Sequence, residues 1–203
     1  MSSSHANDTP LVAEPALYPI FLKLRGRRVL VVGAGPVAER KIAALVEAAA
    51  DVVVVAPDAT EAIRERAQRG EIAWHARAFE PSDADGAWLV VAATSDAGVQ
   101  RAAANAAEER RLFVLAVDDV ANATAYSGAI LRRPPFTVAI SSSGETPALT
   151  RLLREILEDA LPPDDWVERA KALRAAWIAS GTPAGSRFAH LVRDFAARAR
   201  DPK

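Results

Sequence analysis

The chain has 203 residues, half of them hydrophobic and a quarter charged, with a formal net charge of −1 and no cysteine. That length holds one medium domain or two small ones. The balance excludes a bulk basic field for nucleic acid or an anionic membrane surface, and the missing cysteines exclude disulfides, thiol nucleophiles and thiolate metal sites.

Residues 1–16 are polar and contain proline, which predicts a flexible tail. They carry neither the basic start nor the apolar run of a secretory signal. No apolar stretch is long enough to span a membrane, and the expected compartment is the cytoplasm. Tyr18 to Leu24 is short and apolar, and is expected to pack on a sheet edge before Gly26 turns the chain.

The centre of the sequence is Arg28 to Lys41, RVLVVGAGPVAERK. Val29 to Val32 read as a buried strand, and a helix of about Val37 to Ala49 follows. Between them Gly33 permits a tight turn and Gly35 lets backbone approach a ligand. Pro36 suits the first helical turn, because its missing N–H would have had no partner there. The free amides and positive end of such a helix favour a pyrophosphate. The bland alternative is a βα turn that binds nothing.

Asp51 to Ala56 is a second apolar strand, which makes a right-handed βαβ unit. Its tip is Ala56-Pro57, with Asp58 one step later. Asp58 either reaches a dinucleotide ribose or caps a helix from Ala59 to Arg69. No arginine follows directly, so no 2′-phosphate site is visible and NAD is favoured over NADP.

Further strands are expected at Glu71 to Arg77, Ala87 to Ala93 and Leu112 to Val117. Thr94-Ser95-Asp96 opens a helix from about Ala97 to Glu109. It lies at a carboxyl strand end, where open α/β sheets bind ligands. Asp118 and Asp119 occupy the corresponding position after the next strand.

The texture then changes. Thr124 to Leu131 and Phe136 to Ser141 read as two strands joined by a loop, Arg132-Arg133-Pro134-Pro135. A polar loop from Ser141 to Pro147 leads into an amphipathic helix, Ala148 to Leu161, stopped by Pro162-Pro163. The remainder is helical, with Trp166, Trp177 and Phe188 as expected core anchors. The four tryptophans are expected in the core rather than stacked on a cofactor. His5, His75 and His190 show no metal-ligand spacing, so no metal site is expected.

Several stretches together resemble one family. FLKLRGRRVLVVGAGPVAERK, VVVVAPD, WLVVAATSD, VDD and VAISSSGETPALTRLLRE are similar to the siroheme synthase N-terminal family, from about Tyr18 to Leu161. Those proteins are precorrin-2 dehydrogenases and often also sirohydrochlorin ferrochelatases. The resemblance implies α/β architecture, with a Rossmann-like parallel sheet, a small strand-containing dimerisation region and a C-terminal helical region. The implied boundaries are 17–123 for the NAD-binding domain, 124–161 for dimerisation and 162–203 for the helices.

It also implies NAD as cofactor, a tetrapyrrole substrate, Fe2+ as a substrate in the chelatase members, and a homodimer. The catalytic acid carries over to Asp118, although a turn or cap remains the alternative. Dinucleotide contacts carry over to Pro36, Val37, Pro57 and Asp58, beside Gly33, Gly35 and Thr94. Ser142 falls where some relatives carry a modifiable serine close to the active site. Arg132, Arg133, Arg151 and Arg154 are candidates for the substrate's carboxylates, against the alternative of a solvated basic face. Two stretches depart from the family pattern, Leu115 in place of an asparagine and Ala125 to Ala129. They motivate a second reading, an NAD(H)-binding regulatory domain without catalysis.

Overall fold

The structure is a computed structural model that describes residues 16–117, 119–161 and 164–199. The chain divides into two compact units after Tyr126.

The first unit is built on five parallel strands: β1 (Arg28–Val32), β2 (Asp51–Val55), β3 (Ala73–His75), β4 (Leu89–Ala92) and β5 (Phe113–Ala116). Their order is β3-β2-β1-β4-β5. Strands β1, β2 and β4 are covered on both faces, which is why they read as continuous apolar runs. Val29, Val31, Val52, Val54 and Val91 face α1 (Pro36–Glu47) and α2 (Glu61–Gln68), with Ile42, Leu45 and Ile63 in the same cluster. Leu30, Val32, Val53, Val55 and Val90 point the other way, to Ala103, Ala106 and Ala107 of α3 (Ala97–Glu109). Alternation along a strand therefore feeds two separate cores.

Chain direction reverses its lateral progress between β1 and β4, the two strands that leave the centre in opposite senses. A crevice opens above the carboxyl ends at such a point, and ligands of open α/β sheets bind there.

At the opposite end of the sheet a polar cluster clamps the connection before β4. Asp83 is only 7% exposed. Its carboxylate accepts two bonds from Arg77, one of them 2.9 Å, and one from the Glu80 N–H at 2.9 Å. Arg28 adds bonds to the carbonyls of Asp83 and Asp85, at 3.2 and 3.0 Å. The Arg77 hydrogen bond holds the Asp83 carboxyl below its ordinary value, against an opposing push from burial. A depressed carboxyl stabilises the fold above its unfolded pKa of about 4, and the contribution is lost as pH falls through the folded value. Asp83→Asn should therefore cost about 1–3 kcal/mol at neutral pH. Urea melts should show the wild type losing more stability than the variant between about pH 6 and about pH 3.

The second unit holds a hairpin and helices. Strand β6 (Ala129–Arg133) pairs antiparallel with β7 (Phe136–Ile140). Helices α4 (Pro147–Ala160), α5 (Asp164–Ala179) and α6 (Ala184–Ala199) follow. Trp166 packs on Phe195 with ring centroids 4.4 Å apart, and Arg169 is paired with Asp194 at 2.8 Å.

Several expectations are corrected. Arg132 and Arg133 are not in a loop. They pair with Thr137 and Phe136, and only Pro134-Pro135 form the turn. Prolines lack the N–H a ladder needs, so the turn contracts to them. The first strand of this hairpin begins at Ala129 rather than Thr124, because Thr124 and Ala125 bond back to the Val114 carbonyl, at 3.0 Å each. Tyr18 to Leu24 is not packed on an edge: only Leu24 is buried, and Tyr18 is 87% exposed. Phe188 is 74% exposed and anchors nothing among the described residues. Trp88 is exposed too, with the Arg27 guanidinium 3.8 Å above its ring, a cation–π contact that needs no core. No helix among the described residues is long and apolar enough to cross a membrane.

Candidate functional site

The first unit brings most of the expected dinucleotide residues together at the carboxyl end of its sheet. Gly33 ends β1. Its N–H donates to the Val55 carbonyl at 3.0 Å, and its φ of +104° is a conformation that side chains resist. A Cβ there would lie 2.4 Å from the Ala93 oxygen and 3.1 Å from the Thr94 nitrogen. Gly33 is thus wedged against the chain leaving β4, and only hydrogen fits. This close approach also places Thr94 beside the glycine turn. The Thr94 hydroxyl accepts the Asp96 N–H at 3.2 Å, and Asp96 caps α3 through bonds from Gly98 and Val99 at 2.8 and 3.0 Å.

Gly35 is different. It is the N-cap of α1, with φ −86° and ψ −175°, and it offers no side chain to the helix. A Cβ at Gly35 would meet nothing within 4 Å. Pro36 occupies the first turn, so the amides of Val37 and Ala38 are the donors that end the helix. Open space before unsatisfied amides at a positive helix end is a cradle for an anion. The residues present therefore fit the pyrophosphate of a dinucleotide.

The loop after β2 is stitched to this turn. The Thr60 N–H donates to the Ala34 carbonyl at 3.0 Å, and the Thr60 hydroxyl donates to Glu39 in the first turn of α1. Thr60, not Asp58, occupies the N-cap position of α2, without a side-chain cap bond, and the helix starts at Glu61. Asp58 instead accepts the N–H of Ala59 at 2.9 Å and pairs with Arg64. The Ala59 N–H, then the Arg64 guanidinium, hold the Asp58 carboxyl below its ordinary value. Pro57 and Asp58 are both exposed at the strand tip.

Asp118 lies outside the described residues. The backbone leading to it is fixed. The Val117 N–H donates to the Ala92 carbonyl at 3.0 Å, and the Gln100 amide donates to the Val117 carbonyl at 2.8 Å. Asp119 is used locally: its carboxylate accepts the Asn122 N–H at 3.2 Å and the Asn122 side-chain amide.

The other expected residues belong to the second unit and lie on separate elements. The Ser142 hydroxyl accepts the Thr146 N–H at 3.1 Å and the Thr150 hydroxyl at 3.0 Å, at the start of α4. Arg151 is exposed on α4 and paired with Glu155 at 3.0 Å. Arg132 and Arg133 end β6, and Arg133 donates to the Leu161 carbonyl at 3.0 Å. Among the described residues no three His, Asp or Glu side chains gather as a metal site.

Sequence reasoning missed Gln100 and Arg64. Gln100 is a buried polar side chain on a helix face otherwise made of Ala103, Ala106 and Ala107, and that break in the apolar stripe was the available signal. Arg64 had no such signal, because a loop and a helical turn separate it from Asp58.

The fold resembles that of the solved structure "SirC, precorrin-2 dehydrogenase", with a TM-score of 0.72 at 24% identity, over 87% of this chain and 88% of that one. Residues 20–129 match the family model described as "Putative NAD(P)-binding". The chain is 47% identical over 144 residues to "Siroheme synthase 1" of Pectobacterium atrosepticum, covering 71% of this chain and 30% of the relative. It is 41% identical over 162 residues to "Siroheme synthase" of Photorhabdus laumondii, covering 75% and 34%. The chain spans about a third of the length of these relatives. With the glycine turn, the strand order and most of the first unit inside the match, the chain belongs to this NAD(P)-binding family, as a member of its siroheme synthase N-terminal group.

Proposed function

We propose that this chain oxidises precorrin-2 to sirohydrochlorin with NAD+, in siroheme biosynthesis in the cytoplasm. The observation that carries the reading is the open approach at Gly35, before the amides of Val37 and Ala38, at the switch point of a 3-2-1-4-5 sheet. The similarity to siroheme synthases supports the substrate.

Bound NAD+ supplies the acceptor for the hydride that leaves the tetrapyrrole. The chain's own residues bind and orient. The amides of Val37 and Ala38 would hold the pyrophosphate, and Gly33 keeps the chain after β4 close enough for Thr94 to border the cofactor when it is bound. Pro57 and Asp58 would border the adenosine ribose. The reaction removes a hydride and one proton from precorrin-2. Asp118, two residues after β5 in the sequence, is the base proposed to take the proton.

The substrate's carboxylates call for cations, and Arg132, Arg133 and Arg151 are the residues proposed to meet them, with Ser142 as a hydroxyl partner. Insertion of Fe2+ is the second proposed step, with iron as substrate and Asp118 taking the two displaced pyrrole protons one at a time and releasing each to solvent. A homodimer is part of the proposal. Leu149, Leu152, Leu153, Ile156 and Leu157 form an exposed apolar stripe on α4, which a second copy would cover. Sedimentation should then give the dimer mass. The enzymatic reading is tested by anaerobic turnover of precorrin-2 with NAD+, and adding Fe2+ to the same cuvette tests chelation.

A further inference from the structure

The tip of β2 holds both an acid and a base. Asp58 Oδ1 carries the bond from the Ala59 N–H, at 2.9 Å, and the contact with Arg64. Asp58 Oδ2 is the oxygen left for a ligand. The Asp58 side chain is 85% exposed and that of Arg64 39%. The Arg64 guanidinium is held on three sides. Glu61 lies 3.5 Å from it, and Asp58 is on it. The Trp74 ring centroid is 5.9 Å away, and the Trp74 indole N–H is anchored on the Ala56 carbonyl at 3.1 Å.

The end of β2 is where an α/β dinucleotide site meets the adenosine ribose. An acid there accepts the 2′-hydroxyl, whereas an arginine there receives a 2′-phosphate. This chain has both groups and pairs them with each other. No arginine follows the strand tip directly in sequence, and Arg64 reaches it from within α2.

We infer that the Asp58–Arg64 pair sets the choice between NAD and NADP: Asp58 takes the ribose diol and occupies Arg64, the arginine that reaches this tip and could hold a 2′-phosphate. The inference rests on the NAD reading above. Arg64 acts as a positioning residue in the native protein, turning Asp58 so that Oδ2 is presented. Without Asp58, the same guanidinium, 39% exposed and with Glu61 still at 3.5 Å, is the cation available to a 2′-phosphate. A charged donor beside a phosphate makes short, strong hydrogen bonds, so the gain is specific to the phosphorylated cofactor. Exposed ion pairs contribute little to stability, so variants here should fold normally.

The test is fluorescence titration of the full chain with NADH and with NADPH. Wild type should prefer NADH. Asp58→Ser should shift the ratio of affinities toward NADPH by on the order of tenfold or more. The double variant Asp58→Ser/Arg64→Ala should lose that gain. Arg64→Ala alone should weaken NADH without improving NADPH, and Arg64→Lys should restore much of the NADH affinity. An unchanged ratio in Asp58→Ser, or a gain that survives in the double variant, overturns the inference while leaving the NAD reading in place. A wild-type chain that binds neither dinucleotide overturns the NAD reading, and this inference with it.

Discussion

Gly35→Asp is expected to keep the fold and to weaken dinucleotide binding by about a hundredfold or more. The backbone of Gly35 has φ −86° and extended ψ, which any residue adopts. A Cβ there touches nothing within 4 Å, so no protein atom has to move. Aspartate is also a favourable N-cap, and its carboxylate would lie at the positive end of α1, before the amides of Val37 and Ala38. The variant should therefore melt at the wild-type temperature or slightly above it. The same carboxylate would stand where the pyrophosphate must come, and two anions at one helix end repel. A melting curve and an NADH titration on one preparation check both halves. Unchanged affinity would remove the glycine turn from the site. Gly33 would be a poor choice for this test, since its packing on Ala93 mixes folding with binding.

Asp118→Asn is expected to retain NADH affinity and to lower turnover by about 10²–10⁴-fold. Its neighbours in sequence are firmly held. Val117 is tied to β4 through Ala92 and to α3 through Gln100, so the chain leaves β5 at a fixed point beside the strand that carries Thr94. Asp119, the neighbour of Asp118, is engaged by Asn122. Asparagine keeps the shape but has no basic carboxylate. Asp119→Asn should leave turnover near the wild-type rate. If Asp118→Asn turned over at the wild-type rate, the base would have to be another group.

Much of the first unit was legible because its signals are local. A continuous run such as Val29 to Val32 needs two covering layers, and a glycine turn followed by Pro36 needs a helix. Thr94-Ser95-Asp96 reads as the loop that opens a helix, and the structure makes Asp96 its cap. The less legible features depend on partners distant in sequence. Arg64 reaches Asp58 only after a turn of α2 has been built, and Thr124 bonds to β5 instead of extending the hairpin. The error over Arg132 and Arg133 had a different source. Two prolines beside two charges look like a four-residue loop, yet the cross-strand pairing extends to the prolines themselves. In the last helices aromatic residues looked like core. Trp166 does pack on Phe195, whereas Phe188 points outward, and spacing in an Ala-rich helix does not distinguish the two.

The central claim is that the glycine-turn site exists to oxidise a tetrapyrrole. The direct measurement is anaerobic incubation of the purified chain with precorrin-2 and NAD+, reading NADH and sirohydrochlorin absorbance together. The account predicts that both rise with time, in equal amounts and in proportion to protein. A chain that binds NADH yet produces neither would contradict it, and would mark the protein as a dinucleotide-binding domain without this chemistry.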